Sequence, residues 1–179
     1  MHWCRRFVVC TALALAAAAV GGPSLAIAQE PKPVAMVSMA PLDRMLKDVA
    51  FLLRSANFPE IGGVVRVMAD QYTQGIDKSR PWGITIHMDG EMPVGVLFLP
   101  MSDREQFFGA LGSMGIEPDD LGDGLYEIDA NGQVLYAKEA NGWMFVAQAE
   151  DMLDSVPNDP AAALGELPNK YDIAIRANI

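Results

Sequence analysis

The octapeptide Trp82-Gly83-Ile84-Thr85-Ile86-His87-Met88-Asp89 decides how the chain is read. Trp82, Ile84, Ile86 and Met88 alternate with Gly83, Thr85, His87 and Asp89, a period of two that marks a half-buried strand. Upstream the period is helical. Leu42, Met45, Leu46, Val49, Leu53 and Ala56 fall at three- and four-residue steps, and Val65, Met68, Ala69, Tyr72 and Ile76 do so again beyond Asn57 to Pro59. The rhythm therefore changes near Trp82, from two helices to a sheet.

Downstream the signals are those of short antiparallel connections. Asp89-Gly90 is a turn, and Val94 to Leu99 is apolar on both faces, as an interior strand would be. Ser102 and Glu105 have the spacing of a capping box opening a helix with the stripe Phe107, Phe108, Leu111. An acidic stretch, Glu117 to Asp123, reads as a loop. Three strands follow, Leu125 to Asp129, Gln133 to Lys138 and Gly142 to Gln148, separated by Asn131-Gly132 and Asn141-Gly142. Asn-Gly between apolar runs favours a type I′ hairpin turn, so the three strands read as a meander. A short helix over Glu150 to Val156 and a brief turn over Ala161 to Leu164 precede a last alternating strand, Tyr171 to Ile179. The expected fold is α+β: two N-terminal helices, then an antiparallel sheet of about five or six strands with helices on one face.

The start of the chain reads as a secretory signal. Arg5 and Arg6 precede an apolar run of 14 residues, Phe7 to Val20, and Ala26-Ile27-Ala28 is an A-x-A cleavage motif. A spanning helix needs about 20 apolar residues, and Gly21-Gly22-Pro23 would break one here. Cleavage between Ala28 and Gln29 is expected, with no stable membrane span afterwards and export to the periplasm or beyond. Residues 29–40, with Pro31 and Pro33, read as an extended leader, and 41–179 as a single α+β domain. The final strand ends without a turn, so it either closes the sheet or begins a further unit; the domain could then be the first module of a longer protein.

Composition narrows the function classes. Both cysteines, Cys4 and Cys10, fall in the segment to be removed, so the mature domain is cysteine-free. The formal charge is −10; without Arg5 and Arg6 there are 11 basic residues against 23 acidic, near −12. So acidic a surface repels phosphate backbones, which argues against nucleic acid as a partner.

The candidate motifs for chemistry each fall short. His87 is the only histidine after the signal, too few for a zinc site. Glu117, Asp119, Asp120, Asp123, Glu127, Asp129 and Asn131 crowd one stretch, yet an EF-hand register from Asp119 puts Leu121 and Ala130 at ligand positions. Leu111-Gly-Ser-Met-Gly115 departs from the G-x-S-x-G elbow at its first residue and follows a helix. Gly122-Asp-Gly124 opens a dinucleotide fingerprint that Glu127 ends. No catalytic, cofactor or metal residue is assigned. Trp82, Trp143 and Tyr136 alternate along strands; their first reading is core, their second a binding face on the sheet.

Three segments, Gly95 to Asp103, Asn141 to Val146 and Leu167 to Arg176, resemble a loose group of exported proteins of unknown function abundant in planctomycete bacteria. The likeness covers most of residues 33–179. It rests on strand ends and helix starts, and it implies longer chains in which such units recur but no activity. The expected function is a non-catalytic binding or structural role outside the cytoplasm, with an unknown protein or other cell-envelope partner and no cofactor. The alternative is an extracytoplasmic hydrolase using a carboxylate pair, or Ser113 with His87.

Overall fold

A computed structural model describes residues 33–130 and 132–178. The proposed signal peptide, its cleavage point at Ala28 and Gln29, and the start of the leader lie outside the described residues. The elements in chain order are β1 (Ala35–Met39), α1 (Leu42–Ser55), α2 (Pro59–Tyr72), β2 (Trp82–Asp89), β3 (Met92–Pro100), α3 (Arg104–Ser113), β4 (Pro118–Gly122), β5 (Leu125–Ala130), β6 (Gln133–Ala140) and β7 (Trp143–Ala147). A 3-10 turn (Glu150–Leu153), α4 (Pro160–Leu164), α5 (Leu167–Lys170) and β8 (Ile173–Ala177) complete the chain.

The strands form one antiparallel sheet in the order β4-β5-β6-β7-β3-β2-β1-β8. The α+β class holds, with eight strands among the described residues where five or six were expected. Two of them account for the difference. The segment read as a leader contains β1, which lies between β2 and β8. The acidic segment read as a loop contains β4, paired to β5. Because β1 precedes α1, the helices do not open the fold.

The local chemistry explains most boundaries. Asn141 and Gly142 have φ of 53° and 74°, the two positive values that a type I′ turn between β6 and β7 requires. At α3 the cap is one residue later than expected. Asp103, not Ser102, accepts from the Gln106 N–H at 3.0 Å, and the Gln106 side-chain amide donates back to the other Asp103 oxygen at 3.0 Å. The charged carboxylate at the helix start also complements the helix dipole, which favours Asp103 over Ser102.

Pairing register sorts the side chains onto two faces, since directly opposed residues point the same way. On the first face Met36, Val96, Phe98, Trp143, Phe145 and Ala147 pack with Leu153 of the 3-10 turn and Leu164 of α4. On the second, Tyr126, Ile128, Ala137 and Met144 pack with Phe107 of α3. Helical elements thus cover both faces, not one. Their coverage is uneven. Burial alternates along β1 and β3: Met36, Ser38, Val96 and Phe98 are buried, whereas Val37, Met39 and Leu97 on the second face are only half-buried.

Helices α1 and α2 form a hairpin apart from both cores. Neither contains a buried residue, and neither gives a side chain to a core cluster. The hairpin is tied down at its base. Arg44 donates to the carbonyl oxygens of Pro168 and Asn169 at 2.8 and 3.2 Å, satisfying free carbonyls at the end of α5, and pairs with Asp172 at 2.9 Å. Lys78 meets Asp70 at 2.6 Å, and that cation holds the Asp70 carboxyl below its ordinary value.

Candidate functional site

The aromatic positions singled out in the sequence do not share a surface. Trp82 pairs with Met39 of β1 and lies on the second face, half-buried. Trp143 and Tyr136 lie on the first face. Trp143 is 1% exposed, with Phe98 edge-on at 5.8 Å and the Arg80 guanidinium 4.0 Å from its ring centre. It belongs to the core, so Trp82, Trp143 and Tyr136 do not form the common binding face expected of them.

Tyr136 has a more polar setting. It stands directly opposite Glu127 across the β5–β6 ladder. The Glu127 charge raises the Tyr136 hydroxyl above its ordinary value; burial, a hydrogen bond to Glu127 and the Glu150 charge act in the same direction. A shift in this direction favours the protonated phenol, the form in which the hydroxyl can donate. Arg104 bridges α3 to the sheet, 3.2 Å from the Tyr126 hydroxyl and 3.3 Å from Glu139; these two partners raise the guanidinium above its ordinary value. The role of this contact is to dock the helix.

The other candidates are dispersed. Ser113 lies on α3, against the second face, and its hydroxyl donates to the Ala110 carbonyl at 2.7 Å. His87 follows Thr85 by two positions on β2 and so shares the first face with Met36. The sheet therefore separates the two. Asp119 and Asp120 are exposed on β4, the outer strand. Among the described residues no three His, Cys, Asp or Glu side chains gather as a metal site would need.

What the fold does present is uncovered apolar surface. Ile61, Val64, Met68 and Tyr72 follow one another along α2 at three- and four-residue steps, and all are exposed; Val64 is 58% exposed. On α1, Val49 and Leu52 form a matching stripe, with Leu52 at 64%. Phe51 and Phe58 are exposed close to the hairpin turn. Between the helices runs a groove of about 170 Å³, with Leu46, Ala50 and Val65 in its lining and the cations Lys47, Arg54 and Arg66 beside them. Gly62 lies against Ala50 where the two helices meet. The helical spacing of these residues was evident in the sequence. That their apolar side faces no core was not, because periodicity reports which residues share a face and not what covers it.

No helix among the described residues is long and apolar enough to cross a membrane. Compared with protein-family models, with curated proteins and with solved structures, the chain finds no match.

Proposed function

We propose that the protein is an exported, non-catalytic binding domain that contacts a protein of the cell envelope through the α1–α2 hairpin. One observation carries this reading: an amphipathic hairpin that, among the described residues, gives no side chain to either core cluster and leaves its apolar stripes exposed. Contiguous exposed apolar surface costs solubility, and on a soluble domain it marks a contact site. Arg, Met and aromatic residues, which are common in the centres of protein interfaces, are among those presented: Phe51, Phe58, Met68, Tyr72 and Arg66. The hairpin is also nearly neutral, with Arg44, Lys47, Arg54 and Arg66 set against Asp43, Asp48, Glu60 and Asp70, on a chain of formal charge −10. An acidic partner would meet less repulsion there than elsewhere.

Site-specific photo-crosslinking in the producing cell tests this. A benzophenone side chain at Leu52 or Val64 is expected to give one discrete protein adduct, and the same probe at Glu105 on α3 none. Equal labelling at all three positions, or none at the hairpin, would count against the assignment.

A further inference from the structure

The two edges of the sheet are built differently. Outer strand β4 begins with Pro118, carries the exposed carboxylates Asp119 and Asp120, and has an irregular register between Asp120 and Gly122. Proline, charge and bulges are the devices that keep an edge from pairing with another chain. Outer strand β8, Ile173-Ala174-Ile175-Arg176-Ala177, has no proline, no acidic residue and no bulge.

Its backbone is open to a partner. The Ala40 N–H donates to the Asp172 carbonyl and the Asn178 N–H to the Val34 carbonyl, each at 2.8 Å. In an antiparallel ladder alternate residues turn their polar groups to the same side. Ala174 and Arg176 therefore bond inward to β1, and Ile173, Ile175 and Ala177 turn their N–H and C=O groups outward. Two of these outward residues are large, apolar and uncovered: Ile173 is 58% and Ile175 74% exposed.

The geometry points to a second copy of this chain as the occupant, paired β8 to β8 across a two-fold axis through Ile175. Ile175 is the middle residue of the strand, so this register uses all five positions. Ile175 faces its own copy, and Ile173 faces Ala177 of the other copy. Arg176 stands opposite Ala174, so the like charges do not meet; an axis through Arg176 would set guanidinium against guanidinium. Arg176 is also drawn away from the edge, donating to the Ala163 carbonyl at 2.8 Å. Nearby Asp172 is already paired with Arg44. The result is a closed dimer with one sheet running through both copies. A protected β4 cannot serve as the partner, which excludes the head-to-tail alternative that would grow a filament. A five-residue edge is small beside the roughly 800 Å² per partner of a standard interface, so the dimer is of modest affinity, with Kd in the micromolar range.

The β8 edge and the hairpin act independently. Sedimentation velocity on the chain after signal removal tests it. The mass is expected to double with rising concentration. Ile175→Lys and Ile175→Glu each stay monomeric, and an equimolar mixture of the two recovers the dimer, because residue 175 meets only residue 175. Ile175→Pro, which removes the outward N–H without adding charge or disturbing the bonds to β1, is monomeric as well. A wild-type chain that remains monomeric up to about 1 mM overturns the proposal. So does a dimer that survives Ile175→Lys, or a mixture that fails to re-associate. A monomer whose hairpin still crosslinks in cells would remove the dimer and leave the hairpin assignment standing; a β8 dimer with a silent hairpin would do the reverse.

Discussion

Trp143→Ala is expected to lower stability by about 4 kcal/mol, the range of a fully buried Trp or Phe truncated to Ala. For a domain of this size that is on the order of 10 °C in melting temperature. Trp143 fills the first-face core beneath Phe98, and its ring also receives the Arg80 cation. Removing the indole leaves a cavity that neighbours in the middle of a sheet cannot close, since their backbones are fixed by the ladders to β3 and β6. Trp143→Phe, which keeps an aromatic ring against Phe98, is expected to recover part of the loss. Thermal melting followed by circular dichroism checks both. A surface binding residue would behave in the opposite way, with little change in melting and a loss confined to binding.

Gly75→Ala is the second large effect. Gly75 joins α2 to the sheet region with φ of 77°, a left-handed conformation that costs an L-residue roughly 1–2 kcal/mol. Space is the stronger objection. A Cβ at this position would overlap the Asp103 carbonyl oxygen and the Phe107 nitrogen. Both are backbone atoms of the α3 start and cannot swing aside. The Gly75 carbonyl meanwhile accepts the N–H groups of Ser102 and Asp103 at 2.8 and 3.1 Å, so moving the loop also breaks the entry to α3. Strain and overpacking together are expected to cost about 2–5 kcal/mol. Chemical denaturation should show a lower midpoint with an unchanged slope.

These two sites mark the boundary of what sequence reasoning reaches. The hairpins announced themselves, because Asn141-Gly142 and Asp89-Gly90 separate runs of period two. Strand β1 did not. In Ala35-Met-Val-Ser-Met39 the buried positions are Met36 and Ser38, so a polar residue points into the core and erases the alternation. Strand β4 hid for a different reason: Asp119 and Asp120 are poor strand formers, and their place at an edge is visible only once the sheet is assembled. Gly75 reads as the end of a helix, and nothing local reveals that α3 presses on it from about thirty residues away.

The candidate surfaces were legible in part. Helical spacing marked the apolar faces of α1 and α2, and the alternation in Tyr171 to Ile179 marked β8. Their exposure is a tertiary property, set among the described residues by the hairpin's place outside both core clusters and by the position of β8 at the end of the strand order.

A contact role for the hairpin requires its stripes to be surplus to folding, which is tested directly by the melting temperature of a Leu52→Gln, Val64→Gln, Met68→Gln triple variant against wild type. Substitutions at exposed sites outside any core usually change stability by no more than about 0.5 kcal/mol each, so the two curves should coincide within a few degrees. A drop on the order of 10 °C would show that these side chains hold the fold together, and the hairpin would lose its standing as a contact surface.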